Sequence, residues 1–310
     1  MTDVIVLNSH GVGQYAYCDR MPEWGESLAV KKWHVAQDGG KGSNVACALG
    51  RLGSKTAYIG KVGNDPWGDL GEKWMGDAGV NTTYMYRSDD ISTGTGLVLI
   101  GPNGENSIID GEGSSVALTF EEITNAIDAL SDARMFVTGL EIPEKLALDG
   151  AKYAKSKGMK VAFNPSPLPE TDMGMLSYID YLFINEVEGK FILDINKETD
   201  IEPEKIARMV KEKYGCGNIV LTIGGDGSCA VDENDEFFFV SSTKVENIVN
   251  TAGAGDGFMA ATVHKLLAGE NLAQAMAFAS KYAALSITID GTIPAYRPLE
   301  EVEAFIVVHS

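Results

Sequence analysis

Asn250-Thr251-Ala252-Gly253-Ala254-Gly255-Asp256-Gly257-Phe258 runs straight into the helical stretch MAATVHKLLAG, residues 259–269. Small residues at a helix entry leave several backbone N–H groups unpaired and uncovered, and the helix dipole adds about half a positive charge there. Such a nest suits an oxyanion or a phosphoryl group. Asp256 stands in the same turn, where a carboxylate either caps the helix or takes a proton from an attacking hydroxyl. Taken alone, the stretch reads either as a capped helix start or as a catalytic turn.

Upstream of it, short apolar runs alternate with amphipathic ones. VIVLN (4–8), a helical stretch at 43–53, AYIGKV (57–62) and a helix over about 67–78 come first. After residue 119 follow a helix to about 131, RMFVTGL (134–140), a helix near 143–158, KVAFN (160–164), YLFIN (181–185) and NIVLTIG (218–224). This is the βαβ rhythm of a parallel sheet, and near-continuous Val, Ile, Leu and Phe marks strands covered by helices on both faces. Residues 14–36 and 93–110 break the rhythm, the second around a turn signal at Pro102-Asn103-Gly104. They predict a small β lid projecting from the main sheet. Residues 256–287 read as helical throughout.

The 310 residues carry 25 Lys and Arg against 44 Asp and Glu, a formal net charge of −19. That surface repels polyanions, so partnership with nucleic acid or an anionic membrane is not expected. Cys18, Cys47, Cys216 and Cys229 lie far apart without a CxxC pair, and the N-terminus has no basic segment before a long apolar run. A reduced, cytoplasmic protein is expected.

A second glycine-rich stretch, Asp38-Gly39-Gly40-Lys41-Gly42-Ser43-Asn44, opens the helix VACALGRLG. It lets backbone approach a ligand and adds the charge of Lys41 and the amide of Asn44; the plain alternative is a tight strand-to-helix turn. It is not a P-loop, because Gly42 follows Lys41 where Ser or Thr is required. Gly11-Val12-Gly13-Gln14-Tyr15-Ala16 formally fits a dinucleotide fingerprint, but Pro22 and Gly25 stand where its crossover helix should run.

The pair of stretches, Gly-Gly-Lys-Gly-Ser-Asn at 39–44 and the one at 250–258, resembles the two signatures of the ribokinase-like (PfkB) carbohydrate kinases. Asn164-Pro165, the Asn-x-x-Glu of Asn185 and Glu188, and the Thr-x-Gly-x-x-Gly of Thr222, Gly224 and Gly227 extend the resemblance over the chain. It implies a doubly wound α/β fold with a β lid, one kinase domain over 1–310, and ATP-dependent phosphorylation of a primary hydroxyl on a sugar or polyol. It implies Asp256 as general base and the N–H groups of Gly253, Ala254, Gly255 and Asp256 as an anion hole. By the same resemblance Gly40, Lys41, Asn44 and Glu141 contact the sugar, Asn185, Thr222, Gly224 and Gly227 bind nucleotide, and Glu188 with Asn185 organises Mg²⁺ through water.

Two positions depart from the family pattern. Gly13 stands where sugar kinases usually carry a hydroxyl-gripping Asp, leaving His10, Asn8 or Gln14 as replacements and His10 as the substrate-contact candidate. Asn250 replaces an Asp that serves a monovalent-cation site, and a neutral amide holds a cation more weakly. Tyr15, Tyr17, Trp24 and Trp33 in the lid either stack on a ligand or pack against a second subunit; two short strands cannot bury both faces alone, so a homodimer through the lid is expected. The alternatives are a nucleoside kinase of the same family and a non-catalytic ligand-binding protein on this scaffold.

Overall fold

Val4–Leu7 form β1, a strand buried at every residue whose side chains nevertheless part: Val4 and Val6 join one apolar core, Ile5 and Leu7 another. The period-2 pleat is thus hidden inside a uniformly apolar run, as a sheet covered on both faces requires. The computed structural model describes residues 1–102 and 106–309.

In chain order there follow β2 (Gly11–Tyr17), β3 (Lys32–Val35), α1 (Gly40–Arg51), β4 (Thr56–Gly63), α2 (Pro66–Asp77), β5 (Asn81–Ser88), β6 (Gly94–Ile100), β7 (Asn106–Gly111) and α3 (Phe120–Ala129). The second half supplies β8 (Met135–Gly139), α4 (Glu144–Ser156), β9 (Lys160–Asn164), β10 (Tyr181–Asn185), α5 (Glu186–Ile192), α6 (Pro203–Tyr214) and β11 (Asn218–Thr222). It ends with β12 (Gly227–Val231), β13 (Phe237–Ser241), α7 (Ala254–Leu267), α8 (Leu272–Ser286) and α9 (Leu299–Val308).

The main sheet runs β13-β12-β11-β10-β9-β8-β1-β4-β5, with every pairing parallel except the antiparallel β11-β12 and β12-β13 pairings at one edge. From β1 the chain steps outward through β4 to β5, then returns to lay β8, β9, β10 and β11 on the other side. Connections therefore part between β1 and β8, and in doubly wound sheets a crevice for ligand opens outside the strand C-termini at that point. Residues of α1, α2, α7 and α8 pack one face, and residues of α3, α4 and α6 the other.

A separate small sheet, β3-β2-β6-β7, is formed by the two segments expected to make the lid. The turn expected at Pro102-Asn103-Gly104 runs into 103–105, outside the described residues. Across this sheet Val35, Gln14, Leu97 and Ile109 stand in register on the face that also holds Ala16 and Trp33. Trp33 is 53% exposed and Ile109 61%. On the opposite face His34 packs against Tyr15 and Tyr17.

The helix expected over 256–287 is in fact two. Gly269 adopts φ 90°, and Asn271 caps the new helix by accepting from Gln274 N at 2.9 Å. Among the described residues no helix is long and apolar enough to cross a membrane, and all four cysteines are free and buried.

Candidate active site

Several polar residues stand at the C-terminal ends of the parallel strands: Asn8 after β1, Glu141 after β8, Asn164 on β9, Asn185 on β10 and Thr222 on β11. The N-termini of α1 and α7 meet at the same crevice, whose lining includes Asn8, Lys41, Gly42, Gly139, Asn164 and Asp256. Residues from 8 to 256 in sequence are thus gathered by the switch in strand order.

Gly253, the N-cap of α7, has φ 73°. A Cβ there would lie 2.2 Å from Thr292 Cγ2 and 2.5 Å from the Tyr296 hydroxyl, which itself donates to Gly253 O at 2.9 Å. Only glycine satisfies both the left-handed backbone and the space. Among the described residues no protein acceptor takes the N–H of Gly255 or Asp256, and nothing lies within 4 Å of a Cβ built on Gly255. The turn is therefore open toward an anion. The N–H of Ala254, also expected in the donor set, closes the turn on Thr251 O at 3.3 Å.

Asp256 joins a buried network. Its Oδ2 accepts from Asn44 Nδ2 at 3.0 Å, and the same amide nitrogen donates to Asp38 Oδ1 at 3.0 Å. With Asn44 Oδ1 accepting from Gly39 N at 3.3 Å, the amide bridges two carboxylates; its protons are not free for a substrate. Lys41 Nζ stands 3.8 Å from Asp256 Oδ1. Burial raises the Asp256 pKa against the pull of Lys41 and Asn44. Burial also opposes the charge of Lys41, but Asp256, Glu141, Glu188 and Asp38 together hold its pKa above the usual value. The pair thus combines a strengthened base with a fixed cation.

Glu141 lies against the start of α1. It accepts from Lys41 N at 3.1 Å, Gly42 N at 3.4 Å and Ser9 Oγ at 2.9 Å. Burial pushes its pKa up to about 7 despite those donors. The second glycine-rich turn therefore already holds a carboxylate at its helix terminus, which leaves α7 as the freer anion site.

Asn185 and Glu188 form a reciprocal cap of α5: Asn185 Oδ1 accepts from Glu188 N at 2.8 Å, and Glu188 Oε2 accepts from Asn185 N at 3.0 Å. Asn164 Nδ2 also reaches Glu188 Oε2, at 3.3 Å. Among the described residues no group of three His, Cys, Asp or Glu could ligate a metal directly. One carboxylate with a second oxygen to offer fits Mg²⁺ held through water beside a triphosphate, and Asn185 Oδ1 is committed to the cap. Asn185 and Thr222 are register partners at the ends of β10 and β11. In the turn that follows, nothing lies within 4 Å of a Cβ built on Gly224, whereas one on Gly227 would meet Val240 O at 2.2 Å.

His10, expected as a substrate contact, is engaged with protein partners. It is 2% exposed, with Nδ1 2.7 Å from Ser43 Oγ and Nε2 3.2 Å from Trp67 O, and burial lowers its pKa to about 4. The ring is a neutral packing piece between α1 and α2. Asn250 closes its own turn by accepting from Ala252 N at 2.9 Å, while its amide reaches Asp290 Oδ1 at 3.4 Å, so a carboxylate does stand beside this turn. The motifs left Asp38, Ser242 and Lys244 unassigned; the last two pin the 224–227 turn by donating to Gly225 O at 2.6 and 2.8 Å.

Comparison with known proteins bears on this geometry. The family described as pfkB family carbohydrate kinase matches residues 12–298. The chain is 30% identical over 305 residues to a deoxyribokinase of Salmonella typhi, with 98% of each chain covered. It is 30% identical over 300 residues to a ribokinase of Staphylococcus aureus strain COL, covering 96% of this chain and 98% of that one. Among solved structures, Arabidopsis thaliana ribokinase complexed with ribose and ATP aligns with a TM-score of 0.86, 25% identity and 99% of both chains.

Proposed function

This chain belongs to the pfkB family of carbohydrate kinases and is an ATP-dependent sugar kinase; on that premise we propose that it phosphorylates a primary hydroxyl of a free sugar or polyol, with Asp256 as general base. The observation that carries the reading is Asp256 on the first turn of a helix whose N–H groups at 255 and 256 are open, beside Lys41 at 3.8 Å. Phosphoryl transfer asks a protein mainly for positioning and for donors aimed at developing charge.

The substrate oxygen attacks the γ-phosphorus as the bond to the β–γ bridging oxygen breaks, and ADP departs. The hydroxyl proton passes to Asp256 and afterwards to solvent. The N–H groups of Gly255 and Asp256 face the γ-phosphoryl oxygens, while Lys41 keeps Asp256 ionised until the proton arrives. Mg²⁺, when bound, neutralises triphosphate charge, and Glu188 would hold it through water. The 222–227 turn, with Asn185, supports the nucleotide, and Glu141 positions the backbone of 41 and 42 beside the sugar.

Residues 1–310 act as one kinase domain with the small sheet as its lid, and the exposed apolar row of that sheet covers itself against a second copy. A coupled assay of ADP release with MgATP and a panel of D-ribose, 2-deoxy-D-ribose, D-fructose, meso-erythritol, xylitol and adenosine tests the activity. ADP formation with a free sugar or polyol is expected. Turnover of adenosine alone would replace this reading by a nucleoside kinase, and inertness toward the whole panel would refute it.

A further inference from the structure

Asp38 precedes the glycine-rich turn of α1 and has no part in the reaction described above. Its Oδ1 accepts from Gly40 N at 3.2 Å and from Asn44 Nδ2 at 3.0 Å. Two donors on one oxygen fix the carboxylate in orientation, and among the described residues no protein donor takes Oδ2. Through the Asn44 amide Asp38 is one side chain removed from Asp256. On its other flank lies β2, where Gly13 presents no side chain. A Cβ built on Gly13 would stand 3.7 Å from Asp38 Cβ and 3.4 Å from Tyr15 Cε1, ordinary contact distances. The backbone of β2 thus runs alongside the Asp38 side chain at a residue that could carry a Cβ there and does not.

We infer that Asp38 is the specificity-determining acceptor for the sugar: its Oδ2 takes hydrogen bonds from hydroxyls on carbons away from the one phosphorylated. A carboxylate is acceptor-only when ionised, and bonds from neutral donors to it are about twice as strong as neutral pairs. A fixed carboxylate flanked by Asp256 and Glu141 favours an uncharged polyhydroxy acceptor and repels a sugar phosphate or sugar acid. The inference rests on the sugar-kinase reading.

The test is steady-state kinetics of the wild type, Asp38→Asn, Gly13→Asp and the double variant, with MgATP and D-ribose or whichever sugar or polyol of the panel the wild type phosphorylates. Asp38→Asn should raise KM for the acceptor roughly 10- to 100-fold and leave KM for ATP within about twofold. Gly13→Asp should act with opposite signs: beside Asp38 a second carboxylate repels and raises the acceptor KM, but in the Asp38→Asn background it restores an acceptor to the same space and lowers it. An Asp38→Asn acceptor KM within about twofold of wild type overturns the inference, as does an effect of Gly13→Asp in the same direction in both backgrounds. If Asp38→Asn does not fold, Gly13→Asp alone decides, because a lowered acceptor KM would show that Asp38 was not already filling the role. Inertness of the wild type toward every sugar and polyol refutes the kinase reading itself, a different result from a normal KM in Asp38→Asn.

Discussion

Glu141 answers the N-terminus of α1 with its own carboxylate, and the consequence can be measured as pH dependence. The ordinary glutamate value is 4.5, and burial raises it to about 7 in the folded chain. Below 4.5 the group is protonated in both states and costs nothing. As pH climbs through that window the unfolded chain ionises first, so folding stability falls, and above about 7 the whole penalty is present. Glu141→Gln keeps the shape and removes the titration. The melting temperature of the wild type minus that of Glu141→Gln should decline between about pH 4.5 and 7 and then level; a difference independent of pH would contradict the assignment. Of the residues in this network, Asp256, Lys41 and Asn44 are legible because short glycine-rich patterns flag helix entries, whereas Glu141, at the end of an apolar strand, is reached only through the family resemblance. Asp38 is not legible, since its place depends on the backbone of Gly13 in another strand. His10 misleads for a related reason: its ring is covered by α2, where Gly71 and Trp74 pack against it.

At the scale of elements, β9 and β10 coincide with the apolar runs read at 160–164 and 181–185. Both are buried central strands, where composition is decided by the helices on either face. The edge strands escape the same reading: β5 spells NTTYMYRS, with solvent on part of its surface, and β12 and β13 pair antiparallel outside the βαβ rhythm. The long apolar stretch before residue 287 hides its break because both α7 and α8 are buried on most sides, so only Gly269 and Asn271 mark it. The small sheet carries the element-scale prediction. Trp33, Val35 and Ile109 share an exposed apolar face, and light scattering at micromolar concentration should give the mass of two chains. Trp33→Glu should shift that mass toward one chain; a monomeric wild type would contradict the dimer.

At the scale of the whole molecule, strand order is what periodicity does not carry. Nothing in the runs of Val and Ile says that β8 returns to lie beside β1, yet that return brings the turns at 39–44 and 250–258 to one crevice. On the proposed reading, the net charge of −19 is compatible with a tetra-anionic nucleotide because compensation would be local, at the N-terminus of α7 and with Mg²⁺. The central claim is that Asp256 takes the proton in transfer of the γ-phosphoryl group to a sugar hydroxyl. It is tested most directly by comparing turnover of the accepted sugar by wild type and Asp256→Asn, with ATP affinity measured by calorimetry on both. The account predicts that kcat falls about 10²- to 10⁴-fold while ATP affinity stays within about a factor of three. Turnover by Asp256→Asn within about tenfold of wild type would contradict it.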